Sequence, residues 1–166
     1  INDTLREDFV GAVEFYDADS FLEHSPIWIN LIFGEYTRDN TVTALPNRNN
    51  FRQFLQESDL EEALVDLGVT IAEATVTFLK DLREDEFFFQ GSPMQPDQFD
   101  LYSRLLEKSQ AKSPIKLRDK DREAFLLLAL KYTPEVHKIF TIDDTFKDTI
   151  LKERHNFLRN VQKVDI

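Results

Sequence analysis

Apolar residues recur at helical spacing along almost the whole chain. Leu5, Phe9, Val13 and Tyr16 step by four, four and three, which predicts an amphipathic helix over residues 4–16. Residues 17–20 read as a turn. Ser25-Pro26 then pairs a capping serine with a proline suited to the first helical position. The apolar run that follows (Ile27, Trp28, Ile29, Leu31, Ile32, Phe33) predicts a buried helix over residues 26–36. A buried strand over residues 28–33 competes with it, because so short a run has no decisive period. Residues 37–50 are polar, hold Pro46 and several Asn, and read as a loop.

The strongest pattern covers residues 59–83. Leu60, Leu64, Leu67, Ile71, Ala74, Phe78 and Leu82 form one stripe, and Val65, Val69, Ala72, Val76 and Leu79 form a second beside it. Only a narrow polar face remains (Glu62, Asp66, Glu73, Thr77, Asp81), so this helix is expected at the centre of the bundle. Ser58 and Glu61 have the spacing of a capping box. Gly68 costs a helix about 1 kcal/mol against Ala, a cost that makes sense if a neighbour approaches closely there.

Residues 84–96 are irregular. Asp97 is placed to cap a helix to residue 110, with Phe99, Tyr102, Leu105 and Leu106 inward. A lysine-bearing connector leads to a helix from Asp119 or Asp121 through Tyr132. Thr133-Pro134 opens a short helix to Phe140, and Asp143 and Asp144 begin the last one, with Phe146, Ile150, Leu151, Phe157, Leu158 and Val161 on one side. The expected fold is all-α: a single domain over residues 1–166, an irregular bundle of about seven helices around the helix at 59–83.

Composition agrees. The chain has 166 residues, 42% hydrophobic, with 15 Phe, enough to bury a core and too apolar for disorder. It starts at Ile1 rather than Met, which reads as processing, a fragment of a longer chain or a restarted numbering. No run approaches the roughly 20 apolar residues of a membrane span. The absence of Cys excludes disulfides, thiolate metal sites and a cysteine nucleophile. It also fits cytoplasm and organelle interior equally, so localisation stays open.

The net charge of -11 argues against general nucleic-acid affinity and favours a partner with a basic surface. It is unevenly spread. Residues 1–100 carry 6 basic and 21 acidic side chains, and residues 101–166 carry 14 and 10.

Motifs for nucleotide or acyl chemistry are missing, since the four glycines are scattered and no G-x-S-x-G exists. His24, His137 and His155 are far apart, with no Glu three residues before any of them. The nearest approach to a metal set is Asp17, Asp19, Glu23 and His24, whose oxygens suit a hard cation. Its spacing is not that of an EF-hand, because Phe21 and Trp28 stand where ligands belong. A solvated helix start is the preferred reading, and neither metal nor cofactor is expected.

Two further features offer partner contacts. Glu84-Asp85-Glu86 precedes Phe87, Phe88 and Phe89; these aromatics are either anchors for a partner or, as preferred, plugs for the end of the bundle. Lys108, Lys112 and Lys116 recur every four residues, followed by Arg118, Lys120 and Arg122. They suit an acidic partner or phosphate, but the interleaved Asp119, Asp121 and Glu123 favour local neutralisation. The expected function is therefore a non-enzymatic helical protein–protein interaction domain or a small subunit of a larger assembly. The alternatives are an acidic, immunity-type inhibitor of a basic partner, and an enzyme with no local sequence motif.

Overall fold

Gly68 marks a backbone-to-backbone contact between two helices. In the computed structural model, which describes residues 17–32, 49–82, 86–111 and 117–164, a Cβ at Gly68 would lie 2.0 Å from the carbonyl oxygen of Phe125. The helix that holds Gly68 therefore meets the helix that holds Phe125 backbone to backbone. The cost of a mid-helix glycine is offset by this approach, as its position in an apolar stripe suggests.

The described residues are helical, with no strand among them. In chain order the α-helices are α1 (Ile27–Ile32), α2 (Asn49–Glu57), α3 (Leu60–Leu79), α4 (Phe99–Ala111), α5 (Asp119–Lys131), α6 (Pro134–His137) and α7 (Asp144–Val164). Two 3-10 turns, Glu86–Phe89 and Pro96–Gln98, lie between α3 and α4. The all-α fold is as expected, and the described helices number seven, but the membership differs. The helix expected over residues 4–16 lies outside the described residues. The count is made up by α2, whose first two residues lie in the expected loop.

That helix corrects the loop reading at residues 49 and 50 and fills residues 51–57, for which no element was expected. Phe51, Phe54 and Leu55 are buried at i, i+3 and i+4, and Phe54 packs on Phe157 of α7 with ring centroids 4.9 Å apart. The capping box also falls. Ser58 Oγ donates to the carbonyls of Phe54 and Leu55 and so finishes α2, and the N-cap position of α3 falls on Asp59 instead. The chain turns directly into α3 through Asp59, left-handed at φ 56° and without a side-chain cap bond. Asp97 is not the cap of α4 either. Gln95 and Gln98 form a reciprocal box around Pro96, and that 3-10 turn runs on into α4.

α3 packs on α2, α4 and, most extensively, α5. Tyr102 of α4 donates its hydroxyl to the carbonyl of Ala124 at 3.0 Å, and burial pushes its pKa up to about 12. Arg122 of α5 reaches back to Glu61 and Glu62 at the start of α3. The residues at 27–32 form a helix, which settles that choice against a strand. α1 packs on α5 and α7. Its first amide, on Ile27, donates to the carbonyl of Tyr132 just past the end of α5, at 3.0 Å. Two helix termini thus satisfy each other's free groups.

The interaction that sequence periodicity does not reveal is the burial of Arg154 in α7. Its side chain is fully buried, as is that of Asn30 in α1. Nε donates to the Asn30 carbonyl at 2.6 Å and Nη2 to Asn30 Oδ1 at 2.8 Å. Nη1 reaches the carbonyls of Ala18 at 2.7 Å, Ser20 at 3.0 Å and Asp17 at 3.4 Å. Asn30 in turn holds both backbone groups of Leu22. Asn30 thus offers the guanidinium both its backbone carbonyl and its side-chain oxygen.

Two substitutions test this account. Gly68→Ala gains about 1 kcal/mol of helix propensity, but its methyl group must displace the α5 backbone. A net loss of about 3 kcal/mol or more is expected in urea denaturation; a neutral or stabilising result would remove the close approach. Arg154→Ala is expected to cost about 3 kcal/mol or more, because several buried acceptors lose their donor. Arg154→Lys should recover less than half of that, since one ammonium cannot reach the acceptors that three guanidinium nitrogens serve.

Candidate functional site

The outer face of α3 carries Glu62, Asp66, Glu73 and Thr77, all exposed, with Asp81 just beyond the helix end. This is the narrow polar face that the sequence pattern marks out. A shallow groove lies on each side of its C-terminal half. One, of about 380 Å³, is lined by Ala74, Phe78, Gln90, His137, Lys138 and Ile139 among others. The other, of about 480 Å³, runs between α3 and α4 and is lined by Glu73, Val76, Thr77, Ser103, Leu106, Glu107 and Gln110.

Phe78 stands on the first groove and is 59% exposed. Its place in the apolar stripe predicts burial, so this is a correction. By Phe78 the helix has only one residue left, and the chain turns at residues 80–82 and passes through the 3-10 turn at 86–89. The opposite wall is built by the end of α6. There the Thr133 amide, free at the start of a short helix, donates to His137 Nδ1 at 2.9 Å. That bond fixes the neutral imidazole with its proton on Nε2. The ring lies 5.3 Å from that of Tyr132, and burial holds its pKa below the ordinary value of 6.5. Lys138, left-handed at φ 51°, ends the helix, so the expected helix to Phe140 is shorter than its pattern. The Tyr132 hydroxyl instead holds the Phe140 backbone through both its amide and its carbonyl.

The expected site residues fall into three groups. Phe89 is buried and meets Phe99 edge to face at 6.3 Å, whereas Phe87 is 65% exposed; the side chain of Phe88 lies outside what is described. Along the basic stretch, Lys108 and Arg118 both pair with Asp121, at 3.7 and 3.3 Å. Arg122 is held by Glu62 and Glu61, with its pKa raised first of all by the hydrogen bond to Glu62. Lys120 is exposed, and Lys112 and Lys116 lie outside the described residues. Asp17, Asp19, Glu23 and His24 do not converge. Asp17 accepts from Asp19 N and Ser20 Oγ within its own turn, Asp19 pairs with His155 at 3.1 Å, and Glu23 pairs with Lys147 at 2.6 Å. His24 is exposed. Among the described residues no three acidic or histidine side chains come together as a metal site would need.

No family model, curated protein or solved structure matches the chain. No helix among the described residues is long and apolar enough to cross a membrane.

The sequence gives Phe78 and His137 no local signature as site residues. Phe78 belongs by period to the core, and His137 gains its partner from the Thr133 amide, which at the N-cap of α6 has no intrahelical acceptor. The lowered pKa of His137 has a consequence for stability. Its folded pKa lies below the unfolded value, so the unfolded chain binds the proton first. The His137 contribution is complete above about pH 6.5 and is lost as pH falls toward the folded pKa. Urea denaturation between about pH 7.5 and pH 5 should therefore show a steeper stability loss in the native chain than in His137→Gln. Parallel curves would contradict this.

Proposed function

We propose that this protein is a non-enzymatic helical protein–protein interaction domain or a small subunit of a larger assembly. The observation that carries the reading is Phe78. Its sequence position demands burial, and its own fold leaves more than half of it in water. Covering such a ring is worth about 2 kcal/mol, a gain that a partner can supply. Aromatic residues beside a groove are the usual anchors of protein interfaces, and the groove walls here combine apolar Ala74 and Ile139 with polar Gln90 and His137. Phe87, in the 3-10 turn that precedes Gln90, adds a second exposed ring. The pairing of Lys108, Arg118 and Arg122 with carboxylates of the same chain shifts the expected contact away from the basic stretch and toward this end of the bundle.

Cross-linking the intact chain in extract of its source cells, followed by mass spectrometry, tests the reading. Lys80 and Lys138, next to Phe78 and the groove, should cross-link reproducibly to a second protein. Phe78→Ala should abolish those cross-links while moving the melting temperature by no more than about 2 °C. A drop of many degrees with cross-links unchanged would assign Phe78 to the fold instead.

A further inference from the structure

We infer that the groove between α3 and α4 binds a basic amphipathic helical segment of a partner protein, a proposal that rests on the interaction reading and names the chemistry of the partner. The groove is built as a seat for a helix. Ser103, Leu106, Glu107 and Gln110 recur at i, i+3, i+4 and i+7 along one face of α4, and Glu73, Val76 and Thr77 supply the facing wall from α3. The α4 wall is two turns long, about 10 Å. The lining is mainly polar, with Val76 and Leu106 as its apolar members.

Charge complementarity selects the occupant. The acids at the start of α3, Glu61 and Glu62, are met by Arg122, and Asp121 of α5 is met by Lys108 and Arg118. Glu73 and Glu107, one on each wall, have no Lys, Arg or His partner within ion-pair distance among the described residues. Asp66, two turns before Glu73 on the same exposed face, lacks one as well. Carboxylates on both walls, with Val76 and Leu106 between polar neighbours, match a segment that presents a leucine-like side chain to the groove and Lys or Arg to either side. An acidic or uncharged helix would leave these walls opposed or unmatched.

The probe is a labelled helical peptide of leucine and lysine, with its leucines on one face, titrated against the intact chain by fluorescence anisotropy. Glu73→Gln with Glu107→Gln should weaken binding roughly tenfold. The control pair Asp97→Asn with Asp148→Asn, equal in charge change and on exposed sites elsewhere, should stay within about twofold. Glu73→Lys with Glu107→Lys should instead accept the corresponding leucine–glutamate peptide. Equal losses in both pairs would reduce the effect to net charge and overturn the inference. So would sedimentation showing a dimer of the chain alone that the Glu73/Glu107 pair dissolves, which would make the occupant a second copy. If Phe78→Ala loses the cellular cross-links while the Glu73/Glu107 pair keeps them, the basic segment fails and the interaction reading stands; if neither variant changes them, that reading fails too.

Discussion

A buried guanidinium has to be solvated by protein, and the arrangement around α1 follows from how Arg154 meets that need. Among the described residues its nitrogens point at the carbonyls of Asp17, Ala18, Ser20 and Asn30 and at the Asn30 amide oxygen. An uncompensated charge in that position would cost several kcal/mol, so the turn at residues 17–20 must keep its carbonyls inward. α1 is held by the same guanidinium through the carbonyl and side-chain oxygen of Asn30. Asn30 extends the constraint to Leu22, and the Glu23 carbonyl accepts from the Glu135 amide at the start of α6. With α1 fixed against α7, its first amide reaches the Tyr132 carbonyl and ties this unit to α5.

The α3–α5 pair answers a different constraint, which is volume rather than charge. Missing side-chain bulk at Gly68 lets the two backbones touch at Phe125. One turn earlier on α5, Arg122 falls within reach of Glu61 and Glu62. The ion pairs are then a result of the packing and lock its register; exposed on one side, they contribute little energy by themselves. Polar bonds to backbone hold α1 in place, and steric fit holds α3 on α5.

This division explains what could be read from the residues alone. Period and composition report which faces are apolar, so α3, α5 and α7 and the inward side of α4 were legible, and so was the reason for Gly68. Arg154 lies outside that code, because an arginine in a helix pattern is read as surface unless its acceptors are known, and these come from more than 120 residues away in sequence. The Ser58–Glu61 spacing misleads for a related reason. Ser58 is claimed by the end of α2, a nine-residue helix whose three buried side chains are too few to assert a period against its polar neighbours. Phe78 fails through length: the stripe continues, but the helix ends at Leu79 and leaves the ring exposed at the rim. Neither groove has a local motif, since each is formed by segments at least twelve residues apart.

The charge asymmetry gains its meaning from the same geometry. A net charge of -11 distributed over a surface would only promote solubility. Here Arg122 of α5 is used within the molecule on acids at the start of α3, and Lys108 and Arg118 are used on Asp121. Among the exposed carboxylates that this pairing leaves over are Glu73 toward the far end of α3 and Glu107 on the facing wall of α4. The helix that meets α5 backbone to backbone on its inner face also carries exposed carboxylates on its outer face. Because the inner face is fixed by backbone contact, the outer carboxylates are held at set spacing on a rigid element, which is the condition for recognising a partner by charge pattern rather than by total charge.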